Sequence, residues 1–455
     1  MLRQAIWIQS PKSILANNAD GGVVIRNGKI DELVPLGKQP NSHYDIKFDA
    51  SDHVVLPGLI NTHHHFYQTL TRAFPDALNK ALFPWLQTLY PLWAELEPDM
   101  LASATKLAMV ELMESGCTLA ADHHYLFPAG MENAIDVQVD VAKSLGMRAM
   151  FTRGSMSLGE KDGGLPPQST VQNEKTILDD SARLIKAHHQ RGEGAMVQVA
   201  LAPCSPFSVT TDIMKSSAEL AKRENVRLHT HLAETLDEEA FCLKRFGMRT
   251  VDYLESVGWL HDRTWLAHGI HFDDEEIVRL GRAKVGICHC PTSNMMLGSG
   301  IARNNELEAA GALIGLGVDG SASNDGSNMI MEVRQALYIQ RLRYGSANVS
   351  HYDAYRWATK GSAAVLGRDD IGEISVGKQA DLALFKLDEL RFSGSHDPLA
   401  ALLLCGAQKA DRVMIAGKWT VENGHVVGID TQQLMAEHSA HAMRLASKLL
   451  TKKSG

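Results

Sequence analysis

Val54-Val55-Leu56-Pro57-Gly58-Leu59-Ile60-Asn61-Thr62-His63-His64-His65 is an apolar run that stops abruptly in three histidines. Residues 54–60 read as a buried strand. Side chains alternate along a strand, so His63 and His65 point to one side and His64 to the other. Two imidazoles converging at the end of a buried strand are what a catalytic zinc site needs from its first element. A histidine-rich surface loop or an affinity tag would not follow so apolar a strand.

Working outward, similar runs recur at 118–122, 148–153, 195–203, 226–231, 264–268, 284–290 and 312–319, which makes eight. Amphipathic stretches such as 99–115, 212–223 and 237–257 lie between them. Eight β-α repeats of this kind predict an α/β fold, a parallel (β/α)8 TIM barrel. The runs are almost continuously apolar, as strands covered on both faces should be. Both ends of the chain instead carry short strands and hairpin signals, such as Asn27-Gly28 between apolar runs. We expect a barrel over 56–371 and a small composite β-sandwich domain from 1–55 and 372–455, the latter with a terminal helix at 431–450 that could either cover the barrel or meet a partner. Residues 83–93, rich in Trp, Tyr and Pro, are expected to form a lid over the barrel face, the alternative being an extra packing helix.

Composition narrows the classes. The net charge is −8, and no Lys/Arg cluster offsets it, which argues against nucleic acid as a partner. No stretch approaches the ~20 apolar residues of a membrane span. The opening residues 1–10 lack the apolar core of a signal peptide. Six scattered cysteines without a Cys-x-x-Cys read as reduced thiols of a cytoplasmic protein. The partner expected is a small molecule, and a homo-oligomer stays open.

Active sites of such barrels gather at the C-terminal strand ends. The first strand delivers His63 and His65. The fifth ends in His229-Thr230-His231 with Glu234 after it, the sixth in His268 and the eighth in Asp319. Three histidines and an aspartate from separate strands make a shell suited to zinc, or to iron in its place. Glu234 and His268 are then free for proton transfer. Either His229 or His231 fits the fifth-strand ligand by alternation. The second strand ends in His123-His124, of which alternation lets only one reach the site. Asn294, after the seventh strand, reads as loop-capping.

His63-x-His65, His231-x-x-Glu234, His268 and Asp319 resemble the amidohydrolase superfamily, in particular its mononuclear aminohydrolase branch. The stretch Gly372-Glu373-Ile374 through Gly377-Lys378 to Ala380-Asp381-Leu382 is similar to that family's small domain, so the resemblance covers nearly the whole chain. It implies His63, His65, His231 and Asp319 as ligands of one divalent metal, most simply Zn2+ with Fe2+ as the alternative, and places His229 below them. Binuclear relatives carry a bridging lysine at the fourth strand end; here that end reads Ala202-Pro203-Cys204-Ser205.

The implied reaction is hydrolytic deamination of a heteroaromatic amine, with Glu234, His268 and Asp319 moving protons. Residues 61–72, 121–128, 202–209 and 320–325 further resemble those members of the branch that act on oxidised purines, for which 8-oxoguanine would give uric acid and ammonia. Guanine, a pterin such as isoxanthopterin and an alkylamino-s-triazine are the alternatives. Gln68, Cys204 and Trp85 are the expected substrate contacts. A non-catalytic homologue would have lost ligands that this chain keeps.

Overall fold

The computed structural model describes the backbone of residues 4–453 and side chains as far as 448; residues 1–3 of the opening stretch lie outside it. A break at Gly58 sets the architecture. The run 54–60, expected to be one strand, is two. His53–Pro57 pairs antiparallel with Leu382–Lys386 in a six-stranded sheet, whereas β1 (Leu59–Asn61) pairs parallel with β2 (Cys117–His124). Between them Gly58 passes so close to Thr118 that an added Cβ would lie 2.3 Å from its side chain. Only glycine allows that crossing. The strand His53–Pro57 thus runs across the boundary expected at residue 55.

Six further parallel strands follow in chain order: β3 (Arg148–Ser155), β4 (Val197–Pro203), β5 (Leu228–Leu232), β6 (Thr264–His268), β7 (Gly286–His289) and β8 (Leu313–Leu316). Hydrogen bonds close the ring. Thr62 N–H donates to the Leu316 carbonyl at 2.9 Å and Asp319 N–H to the His63 carbonyl at 3.1 Å. The Asn61 side chain accepts the Val318 N–H at 3.0 Å. The result is the (β/α)8 barrel that the apolar runs predict. The stretch 237–257, expected as one helix, is two, Leu236–Phe246 and Thr250–Ser256. Gly247 takes φ +69 at the end of the first and stops it.

A four-stranded sheet (Ile6–Gln9, Gly22–Arg26, Lys29–Val34, Ile46–Asp49) shares a core with the six-stranded one, built from Ile8, Val23, Ile25, Val55, Leu382, Leu384 and Met414. Asn27 and Gly28 both have positive φ, the turn that their sequence predicts. Buried Arg148 of β3 grips Asp381 at 2.7 Å and joins barrel to sandwich. The terminal helix Thr431–Lys453 covers the barrel, one of its two expected places, and packs on Pro98–Glu114. There His441 meets Ser103 at 2.6 Å and Arg444 pairs with Asp99 at 2.7 Å. No helix among the described residues is long and apolar enough to cross a membrane.

Asp122 of β2 holds the segment that follows the histidines. Its carboxylate accepts the Phe66 N–H at 2.7 Å and the Gln138 amide at 2.7 Å. Burial pushes this carboxyl up to about 7. The folded value lies above the unfolded one of about 3.9, so stability is full at low pH and drains away as pH rises from about 4 through about 7. In Asp122→Asn the Phe66 bond survives. Gln138, whose amide oxygen has no partner, can turn that oxygen to the new amide. This variant should flatten the pH dependence and raise the melting temperature at about pH 8 by a few degrees. Melting curves across about pH 5–8 check this, and a slope like that of the parent would refute it.

Candidate active site

The C-terminal ends of β1, β5, β6 and β8 bring His63, His65, His231, His268 and Asp319 together. His63 Nε2 lies 3.2 Å and His65 Nε2 3.4 Å from Asp319 Oδ1. The Nε2 atoms of His65 and His231 are 3.2 Å apart. Around a cation with bonds of ~2.1 Å, neighbouring ligand atoms stand roughly 3.0–3.4 Å from one another, so the spacing fits a divalent metal.

Hydrogen bonds behind the rings decide which nitrogen faces the centre. His65 Nδ1 donates to the His123 carbonyl at 2.7 Å, and His231 Nδ1 donates to the Cys204 carbonyl at 2.7 Å. His229 Nδ1 donates to the Trp265 carbonyl at 2.9 Å, which leaves its Nε2 as an acceptor for the Nδ1–H of His63 at 2.8 Å. Each ring of the trio therefore turns a bare Nε2 lone pair inward. His63 Nε2 has no hydrogen-bond partner although it is buried. Lone pairs this close repel unless a cation lies between them. Burial holds His63, His65 and His231 below the usual histidine range, which keeps them in the neutral, ligating form. Among the described residues, both groupings of three or more metal-competent side chains lie here.

The groups expected to move protons stand beside this centre. Glu234 Oε2 is 3.5 Å and Asp319 Oδ2 3.9 Å from His268 Nε2. Burial raises the Glu234 carboxyl above the usual range; the His268 charge opposes this and the Asp319 charge adds to it. At His268 burial favours the neutral ring, but Glu234, then Asp319 and Asn294, outweigh it and raise its pKa. Asp319 Oδ2 accepts from Ser293 Oγ at 2.7 Å, and its Oδ1 from the Gly320 N–H at 2.7 Å. Ala233, His268 and Asp319 all adopt left-handed backbone, with φ +55, +72 and +63. Such strain in residues with a Cβ gathers at functional sites.

A cavity opens onto these groups. Gln68, Cys204 and Trp85, the three expected contacts, all line it. Gln68 Oε1 accepts the Ala322 N–H at 3.3 Å. Burial pushes the Cys204 thiol up to about 12, so it is a neutral group. Helix Leu82–Trp93 covers the opening. Its Leu82, Trp85, Leu86 and Tyr90 line the cavity, and Trp85 also packs edge-on against Trp93 at 5.4 Å. Of the second-strand pair, His123 stacks on His231 at 4.7 Å, while His124 turns away to the Leu126 carbonyl at 2.7 Å. His64 likewise leaves the site and meets Ser327 Oγ at 2.9 Å.

Sequence reasoning missed several neighbours. Asn294, expected only to cap a loop, accepts the His268 Nδ1–H at 2.9 Å and orients that ring. Ser293 and Ser323 reach Asp319, and Tyr125 and Phe207 complete the cavity wall. The signal for Ser293 and Asn294 was their place directly after β7, on the face where the other site residues gather.

The model of the Amidohydrolase family matches residues 54–420 of the chain. An 8-oxoguanine deaminase of Pseudomonas aeruginosa is 68% identical over 442 residues, 96% of this chain and 98% of that protein. An isoxanthopterin deaminase from an unknown prokaryote is 32% identical over 92% of this chain and 90% of its own. Among solved structures, the zinc complex of the atrazine chlorohydrolase from Arthrobacter aurescens superposes with a TM-score of 0.91 at 30% identity, over 96% of this chain and 100% of that one. The match runs from the crossing at Gly58 through the last site residue into the terminal strands, and with it the chain belongs to the amidohydrolase family.

Proposed function

We propose that this chain hydrolyses 8-oxoguanine to uric acid and ammonia at one zinc ion held by His63, His65, His231 and Asp319. The observation that carries the substrate is the 68% identity to an 8-oxoguanine deaminase along almost the full length of both chains. Three inward lone pairs beside a carboxylate support the metal, and the zinc in the atrazine chlorohydrolase favours that element; Fe2+ fits the same donors. Isoxanthopterin is the second reading, on the strength of its deaminase at 32% identity.

When bound, the ion makes water acidic enough to react at neutral pH. The residues do the rest. Asp319 takes the proton of the attacking water, with Ser293 and the Gly320 N–H steadying its charge. His268 holds that water from the other side, itself fixed by Asn294. Glu234, whose carboxyl burial shifts toward the protonated form, donates to the ring nitrogen beside the attacked carbon, so no stranded charge builds on the purine. Asp319 passes its proton to the amine, the C–N bond breaks as the new hydroxyl becomes the carbonyl, and the proton it sheds returns to Glu234. Gln68 offers amide donors to the purine edge, Cys204 a neutral surface, and Trp85 an aromatic wall that keeps bulk water out.

Glu234→Gln should lower kcat by about 10²–10⁴-fold with zinc retained; steady-state kinetics beside metal analysis reads both, and near-parental turnover would sink the assignment. His229→Phe strips His63 of its Nδ1 acceptor and should weaken zinc about 10–100-fold, as measured by chelator competition. Ammonia release compared across 8-oxoguanine, guanine, isoxanthopterin and hydroxytriazines should be fastest with 8-oxoguanine. Faster turnover of the pterin would replace the first reading with the second.

A further inference from the structure

A second buried glutamate holds the turn that delivers Glu234. Glu238 lies in the first turn of helix Leu236–Phe246 and is fully buried. One of its carboxylate oxygens accepts the Ala233 N–H at 3.0 Å and the other accepts the Glu234 N–H at 3.1 Å. The sequence Thr235-Leu236-Asp237-Glu238 has the form of a capping box, in which Glu238 would bond back to the Thr235 N–H. That box does not form. Thr235 makes no capping bond and its hydroxyl is left without a partner. Glu238 reaches past the helix end to the two peptides before it.

Those peptides matter to the site. Ala233 has φ +55, a conformation that side chains with a Cβ rarely adopt without support. Its carbonyl accepts the N–H groups of Ile270 at 2.9 Å and His271 at 3.0 Å, just beyond His268. One residue therefore ties the turn bearing Glu234 to the turn bearing His268, and Glu238 grips its N–H side. Two parallel N–H groups require two acceptor oxygens. A glutamine would offer one oxygen and point an amide donor at the second N–H.

We propose that Glu238 is a positioning residue for proton transfer: it touches no substrate, and fixes the Ala233–Glu234 peptide so that the Glu234 carboxyl stays beside His268. The inference rests on the reading of Glu234 as proton donor. The test is a double-mutant cycle in the zinc-loaded full-length chain with Glu238→Gln, Glu234→Gln and the pair together. Glu238→Gln should lower kcat about 10–100-fold, the scale of a slightly misplaced catalytic group. KM should change less than about threefold, with zinc content close to the parent. In the Glu234→Gln background the same change should cost less than about twofold, because the group it positions is gone. Equal losses in both backgrounds would show a purely structural role and overturn the proposal. So would an unimpaired Glu238→Gln beside an impaired Glu234→Gln. An unimpaired Glu234→Gln would instead overturn the reading beneath it. Should Glu238→Gln not fold, Glu238→Asp, which keeps both oxygens but draws them back by one methylene, enters the same cycle with the same expectations.

Discussion

The site depends on where three imidazole protons sit. Backbone carbonyls of His123 and Cys204 take the Nδ1 protons of His65 and His231, and His229 relays the demand of the Trp265 carbonyl to His63. Each of those acceptors belongs to a barrel strand or to the residue just beyond one. The sheet itself therefore fixes the tautomers, and the tautomers fix three lone pairs on one point. In a dry interior that arrangement is unfavourable by itself. A divalent cation between the lone pairs would relieve their repulsion, and the Asp319 carboxylate would balance its charge.

Around this centre polar groups come in supporting layers. Asn294 orients His268, Ser293 and Ser323 steady Asp319, and Glu238 holds the Ala233 turn. Three left-handed residues in the same few turns show that the loops are shaped for the site rather than for their own comfort. The apolar cover from helix Leu82–Trp93 then lowers the local dielectric, which strengthens every charge contact inside.

Much of this was legible in the sequence because it follows from short-range rules. Period-two alternation put His63 and His65 on one side and sent His64 away, as the structure has them. Eight apolar runs announced eight strands, although their ends moved by a few residues. What stayed hidden depended on distant partners. Within the run 54–60 the Pro57-Gly58 pair signals a break, but nothing local reveals that the first half pairs with residues 382–386. Choosing His231 over His229 needed the family resemblance, since alternation allows both. Glu238 was concealed by a familiar disguise: its spacing from Thr235 reads as a helix cap, while its actual partners lie before the cap. The apolar side of the terminal helix left open whether it covers the barrel or meets a partner, and its contacts with Asp99 and Ser103, distant in sequence, decide for the barrel.

That helix bears on the order in which the molecule is completed. His438 Nε2 meets Thr69 Oγ1 at 3.0 Å, two partners separated by 369 positions, and the barrel seam joins Thr62 to Leu316 across 254. Chains are made from the N-terminus onward, and contacts between distant segments form late. The histidines of β1 are thus among the first site residues to exist and among the last to be enclosed. Until β8 and the final helix arrive, the three rings have neither their fourth neighbour nor their brace. A divalent cation held there would bind only the completed fold, so its capture would stabilise the folded chain.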